Sequence, residues 1–184
     1  MRGSILPLRR AAAAGKPHAQ QRSTSPSERV LLFEVGEEGF AVTVGFLREV
    51  VQAEGIGGVA AGLEPPVFVH RQVPIPVVDL GALFGYGPCR RDGEARVLVG
   101  EGGGRMFGLL VGRVGDVVVA SPRDFLPMPA EASTLPAACF RGGWCREGRV
   151  ILVLDPAGLA RLEGVERAEA AAVAPASGPG AGVP

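Results

Sequence analysis

The 184-residue chain has only one lysine, two histidines, three cysteines, one tryptophan and one tyrosine, and each scarcity excludes something. Cys89, Cys139 and Cys145 are odd in number and irregularly spaced, which argues against a disulfide framework and for a reducing compartment. His18 and His70 add too little to these thiols for a four-ligand zinc site, so no metal and no other cofactor is expected. Basic and acidic residues balance at 19 each, which removes the electrostatic reason for nucleic-acid binding. No apolar run reaches the ~18 residues of a membrane-spanning helix, so no membrane insertion is expected. Catalytic patterns are missing too. Gly102 to Gly104 lead into Arg105, Met106 and Phe107 without the Gly-Lys-Ser/Thr of a phosphate loop, and read as a hairpin turn. No serine has a Gly-x-Ser-x-Gly setting and neither histidine suggests a triad. The sequence does not read as an enzyme.

Glycine and proline are what the chain has in quantity, 28 and 16 against 10 aromatic residues. Long helical bundles are poorly served by this composition. Of these 44 residues, 33 lie between Ser27 and Glu166, among many Val and Leu, where they read as turns between short strands. That predicts an all-β fold. Residues 1–28 carry Arg2, Arg9, Arg10, Lys16 and Arg22 with no acid before Glu28. They resemble a transit peptide in composition but read first as a disordered basic tail. Residues 166–184, rich in Ala, Gly and Pro, read as a second disordered tail.

The region between is internally repeated. Residues 40–51 laid over 107–118 match Phe40 with Phe107, Gly45 with Gly112, Glu49 with Asp116, and Val50-Val51 with Val117-Val118. Val-Gly-Glu precedes both copies, at Val35 and Val99, which suggests three extra residues in the second turn. Val77 and Asp79 match Val153 and Asp155 in the same way. Each half reads as a short strand (30–35, 96–99), a glycine turn (36–39, 100–104), a strand bent at its internal glycine (40–51, 107–120) and a closing strand (73–78, 150–154). A short helix opened by aspartate ends each half. Asp155 before Pro156 is a strong start signal, because the carboxylate can cap free amides and proline fits the first helical position. The same capping role answers a reading of Asp79 and Asp155 as paired general acid and base. Trp144 and Tyr86 are expected in a core or seam. A half of ~65 residues buries too little surface to be stable alone, so the halves, approximately 29–90 and 91–165 with strand exchange allowed, should share an apolar seam as a pair of small β-barrels.

Taken in order, these motifs resemble the CheW-like domain family, the adaptor modules of bacterial chemosensory arrays. The resemblance rests on Leu31 to Phe40 with its Gly/acid turn, the apolar run into Leu47-Arg-Glu-Val50, the His70-Arg-Gln-Val-Pro-Ile-Pro-Val-Val-Asp-Leu80 segment, Gly108 to Val114, and Ile151 to Asp155. It covers about residues 29–165. It implies two intertwined five-stranded SH3-like β-barrel subdomains with short helices, and a non-enzymatic scaffold in the cytoplasm. The implied partners are the regulatory domain of a CheA-type histidine kinase and the cytoplasmic tip of a methyl-accepting chemoreceptor, whose helix enters a groove between subdomains. By position, Leu47 and Glu49 match family residues that contact partners, and Arg71 matches a functionally prominent arginine; Glu49 and Arg71 read equally as an intramolecular ion pair. Four positions depart from the family pattern: Pro66, Gln72 and Gly112 replace Gly, Gly and Asp, and Gly81 replaces Arg. Those departures leave open a repurposed double barrel that binds a non-chemosensory protein or a small ligand.

Overall fold

The computed structural model describes residues 27–53, 67–70, 72–90, 92–129, 132 and 134–162. Both terminal tails expected from the sequence, apart from Ser27 and Glu28, lie outside these residues, as does Arg71. In chain order the elements are β1 (Glu28–Val35), β2 (Glu38–Thr43), β3 (Leu47–Gln52), β4 (Val67–His70), β5 (Val73–Asp79), α1 (Leu80–Leu83), β6 (Arg96–Gly102), β7 (Arg105–Val111), β8 (Val114–Ala120), β9 (Phe125–Leu126), β10 (Phe140–Arg146), β11 (Arg149–Leu154) and α2 (Pro156–Leu159). Two sheets result. The first has the order β8-β1-β2-β11-β10-β9 and the second β3-β6-β7-β5-β4. None of the described helices is long and apolar enough to cross a membrane.

Each sheet draws strands from both halves of the sequence, and does so by one rule. The opening hairpin β1–β2 pairs with β8 on one side and, in parallel, with β11 on the other. The opening hairpin β6–β7 pairs with β3 and, in parallel, with β5. The chain crosses between sheets at the glycines expected to bend single long strands. Those runs, 40–51 and 107–120, are each two strands: Gly45 lies between β2 and β3, and Gly112 between β7 and β8. At the second crossing, Gly112 N–H donates to the Glu34 carbonyl at 2.9 Å, and Glu34 N–H to the Arg113 carbonyl at 2.9 Å. A Cβ at Gly112 would stand 3.0 Å from the Glu34 oxygen.

The register also corrects the repeat. Phe33 pairs with Phe40 and Val35 with Glu38 in the first hairpin, while Gly100 pairs with Phe107 and Gly102 with Arg105 in the second. The two hairpins are therefore equally long, without extra residues. Gly103, not Gly100, turns the chain where Gly36 does, at φ +60° against +64°. Gly100 is inside β6 and stands where the first hairpin has Phe33. The space is filled from elsewhere: the Phe46 ring lies over Gly100 and packs on Phe107 at 5.3 Å, as Phe33 packs on Phe40 at 5.9 Å.

One apolar cluster joins the sheets. It includes Leu31, Phe33, Phe40 and Leu152 from the first, Leu80, Phe84, Leu98 and Phe107 from the second or its helix, and Phe46 from the crossing. Each sheet also curls over a smaller cluster on its opposite face, around Val30, Ala41, Trp144 and Val153 in one case and Ile75, Val77, Val97 and Leu110 in the other. Among the described residues no polar or charged side chain is buried. Asp79 caps α1 through Ala82 N–H at 3.1 Å, and Asp155 caps α2 through Ala157 N–H at 3.0 Å, as the sequence predicts.

Strands β4, β9 and β10 were not legible in the sequence. In β10, Gly142 at φ +143° and Gly143 interrupt any strand pattern, and a Cβ at Gly142 would lie 2.2 Å from the Leu126 carbonyl oxygen of β9. The glycine lets β9 pack this closely alongside β10.

Gly100→Ala is expected to cost about 3 kcal/mol or more, read as loss of melting temperature, because its Cβ would lie 2.2 Å from the Phe46 carbonyl oxygen. Gly39→Ala is the control. Its Cβ meets only Ile151 Cγ1, at an ordinary 3.6 Å, and it should change stability little.

Candidate interaction surface

Strand β3 is an edge of the second sheet and β8 an edge of the first, so each leaves one row of backbone groups unpaired within its sheet. Val50 on β3 is 44% exposed, and its repeat mate Val117 on β8 is 51% exposed. Each sits across from a residue of the central cluster, Leu98 and Leu31 respectively, so both lie at the rim of the seam. The edges differ in chemistry. Beside Val50, β3 carries Arg48, which pairs with Glu101 at 3.2 Å, and Gln52. In the corresponding places β8 has Gly115 and Val119, the latter 67% exposed.

The structure separates the expected site residues. Leu47 opens β3, half-buried against the central cluster, and Glu49 is exposed two residues on. Spacing by two would put both on one face of a regular strand. The register shifts between them, however: Leu47 faces Gly100 and Glu49 faces Val99, neighbours on opposite faces of β6. The bulge leaves Leu47 and Val50 on the seam side and turns Glu49 away. A matching shift at the start of β8 places Val114 opposite Phe33.

In the β4–β5 turn, the departure from the resembled pattern has a backbone consequence. Gln72 adopts φ +69°, the left-handed region where the resembled pattern has glycine. Gly81 is explained differently. A Cβ there would stand 2.3 Å from the Gly87 carbonyl oxygen and 3.0 Å from Cys89 Sγ, because the chain after α1 folds back over it. Asp79 holds that fold, accepting from Cys89 N–H at 3.0 and 3.2 Å. An arginine cannot occupy this position without displacing backbone.

That folded-back segment walls a groove of about 510 Å³ between the β1–β2 turn and the start of β8, lined in part by Glu34, Glu37, Tyr86, Arg90, Asp92 and Arg113. Tyr86 packs edge-on against Phe40 at 6.3 Å. Burial, and then the charge of Glu38, raise its phenol pKa. Arg113 reaches Glu34 at 2.8 Å. Among the described residues no group of His, Cys, Asp and Glu is placed to hold a metal. Trp144 is in the first sheet's own cluster, as a core tryptophan would be.

These features define a two-sheet β protein whose exposed opportunities are strand edges and a groove beside the sheet junction. A family model described as a CheW-like domain matches residues 29–164, and the chain belongs to that family. The chemotaxis protein CheW of Rhizobium meliloti (strain 1021) is 27% identical over 143 residues, covering 75% of this chain and 90% of that protein. The crystal structure of the scaffolding protein TtCheW from Thermoanaerobacter tengcongensis aligns with a TM-score of 0.65 at 23% identity, covering 79% of this chain and 96% of that one. The latter likeness bears on fold, and it agrees with the two sheets.

Two outcomes check these environments. Gln72→Gly should raise stability by about 0.5–1 kcal/mol in thermal melting, the relief of a left-handed residue less the added freedom of the unfolded chain. The thiols should separate by reactivity. Burial first, and then Asp79, push Cys89 from an ordinary 9.0 to about 12, and burial and Asp155 push Cys139 to about 11. Iodoacetamide at pH 8 should modify exposed Cys145 and spare the other two, as read by mass spectrometry of the native protein. Because folding holds these protons more tightly, their stabilising contribution is complete below pH 9 and lost as pH rises from 9 towards 12.

Proposed function

We propose that this chain is a non-enzymatic adaptor in the cytoplasm that couples the tip of a methyl-accepting chemoreceptor to the regulatory domain of a CheA-type histidine kinase. Its output is chemotaxis or an alternative such as pilus motility. Family membership across residues 29–164 is the observation that carries this reading. The mechanism is positional. An adaptor needs two faces held in fixed relation, and sheets that exchange strands cannot slide past one another without breaking their hydrogen-bonded ladders. Leu47 and Val50, at the seam side of the β3 edge, supply an apolar contact for the kinase; Glu49, on the other face, and Arg71 supply polar contacts. The groove beside Tyr86 receives a receptor helix.

Val50→Glu is the clean probe, since Val50 is 44% exposed and its replacement should leave the melting temperature unchanged. Kinase binding should weaken by roughly tenfold or more, because a charge would enter an apolar contact without a partner. Leu47→Glu should weaken binding and lower the melting temperature together. Pull-down against each CheA-type kinase of the same genome measures both, and failure of the wild-type chain to bind any of them sinks the adaptor reading.

A further inference from the structure

The mouth of the first sheet's own curl is lined by glycine where the equivalent positions of the second sheet carry long side chains. A groove of about 310 Å³ lies there, floored by Leu32, Gly39, Gly115 and Ile151 and rimmed by Arg146, Glu147 and Arg149 of the β10–β11 hairpin, by Asp116, and by the Arg113–Glu34 ion pair, whose carboxylate is already neutralised. Matching the hairpins by register sets Gly39 against Met106 and Gly115 against Arg48. The second sheet thus places a thioether chain and a guanidinium, the latter tied to Glu101, where the first has two hydrogens. Neither glycine is demanded by its backbone. A Cβ would meet nothing closer than 3.6 Å at Gly39 or 3.5 Å at Gly115, and neither has a positive φ.

The rim carries a second anomaly. Arg146 and Arg149 are directly paired across the hairpin, on the face that also holds Trp144 and Ile151. Like charges in that relation repel. The turn between them forces Glu147 to φ +52°, with Gly148 at +76°. Both values are positive, as a two-residue turn of this kind requires, but the first is costly for glutamate. Existing partners use little of the two forks. Arg146 donates through Nε to Glu147 at 3.3 Å and lies over the Trp144 ring at 5.6 Å, and Arg149 reaches the Glu37 carbonyl at 3.4 Å.

We infer that this groove binds a small amphipathic carboxylate, its apolar body on Leu32 and Ile151 and its carboxylate bridging Arg146 and Arg149. A planar anion accepting from two guanidinium forks turns the cross-strand repulsion into attraction, and charge-assisted bonds of that kind are the strong ones. The glycines supply the room. The site is separate from the β3 edge assigned to the kinase, borders the groove assigned to the receptor through Glu34 and Arg113, and adds a ligand input to the scaffold.

Trp144 is the chain's only tryptophan and sits beneath Arg146, so its fluorescence reports occupancy. Hexanoate is the probe and hexan-1-ol its uncharged counterpart. The wild-type protein should give a saturable change with hexanoate that hexan-1-ol does not reproduce. Arg149→Gln should weaken it roughly tenfold. Gly39→Met, which installs the side chain found at the equivalent place in the other sheet, should abolish it with an unchanged melting temperature. A non-saturating response, an equal response to the alcohol, or undiminished binding by Gly39→Met overturns the inference. Should Gly39→Met melt early, Arg149→Gln alone decides, and unchanged affinity there overturns it as well.

Discussion

Everything in this molecule leans on the apolar seam between its sheets, and Phe40 is at the centre of it. Its ring, fully buried, stacks on Phe33 at 5.9 Å and Phe84 at 5.5 Å and touches Phe140 at 6.4 Å. Phe84 follows the short helix of the second sheet, while the other three rings belong to the first, so one cluster fixes the orientation of both. With no buried polar residue among those described, shape alone specifies the packing. The equivalence of Phe33 over Phe40 and Phe46 over Phe107 shows how strict that demand is: the same aromatic pair is built twice, with the second ring taken from a different part of the chain.

Strand exchange and seam are two expressions of one constraint. A hairpin of six to eight residues per strand has two edges and two faces to satisfy, and each half's opening hairpin satisfies both edges with strands of the other half. Neither half retains its sheet if the other is removed. The geometry suits a scaffold, because the β3 and β8 edges belong to different sheets joined by one apolar core and differ in character: ion-paired and mixed on β3, with bare valines on β8.

The repeat that organises the fold was legible because it recurs in residue type: Phe40 with Phe107, Gly45 with Gly112, and Asp79 with Asp155. Capping by the two aspartates followed from local chemistry and is present as expected. The surface was less legible. Leu47 and Glu49 were singled out through their place in a motif, but a one-residue bulge puts them on opposite faces. Gly39 and Gly115 carried no signal, since an unstrained glycine in a strand means something only when its counterpart in the other sheet is known. The Arg146–Glu147–Gly148–Arg149 turn did have a signal, charged residues around a Glu-Gly pair, that composition alone could not separate from an ordinary loop.

By itself the sequence determined what local forces control: short β-strands, turns where glycine permits a left-handed backbone, helix starts where aspartate can cap, an apolar alternation that needs a second layer, and the order of motifs that marks the family. Only the tertiary structure decided which strands pair, where the two hairpins come into register, and that the bends at Gly45 and Gly112 carry the chain from one sheet to the other. Pairing between distant strands depends on which edge is left open once the seam has closed. No window of neighbouring residues contains that information.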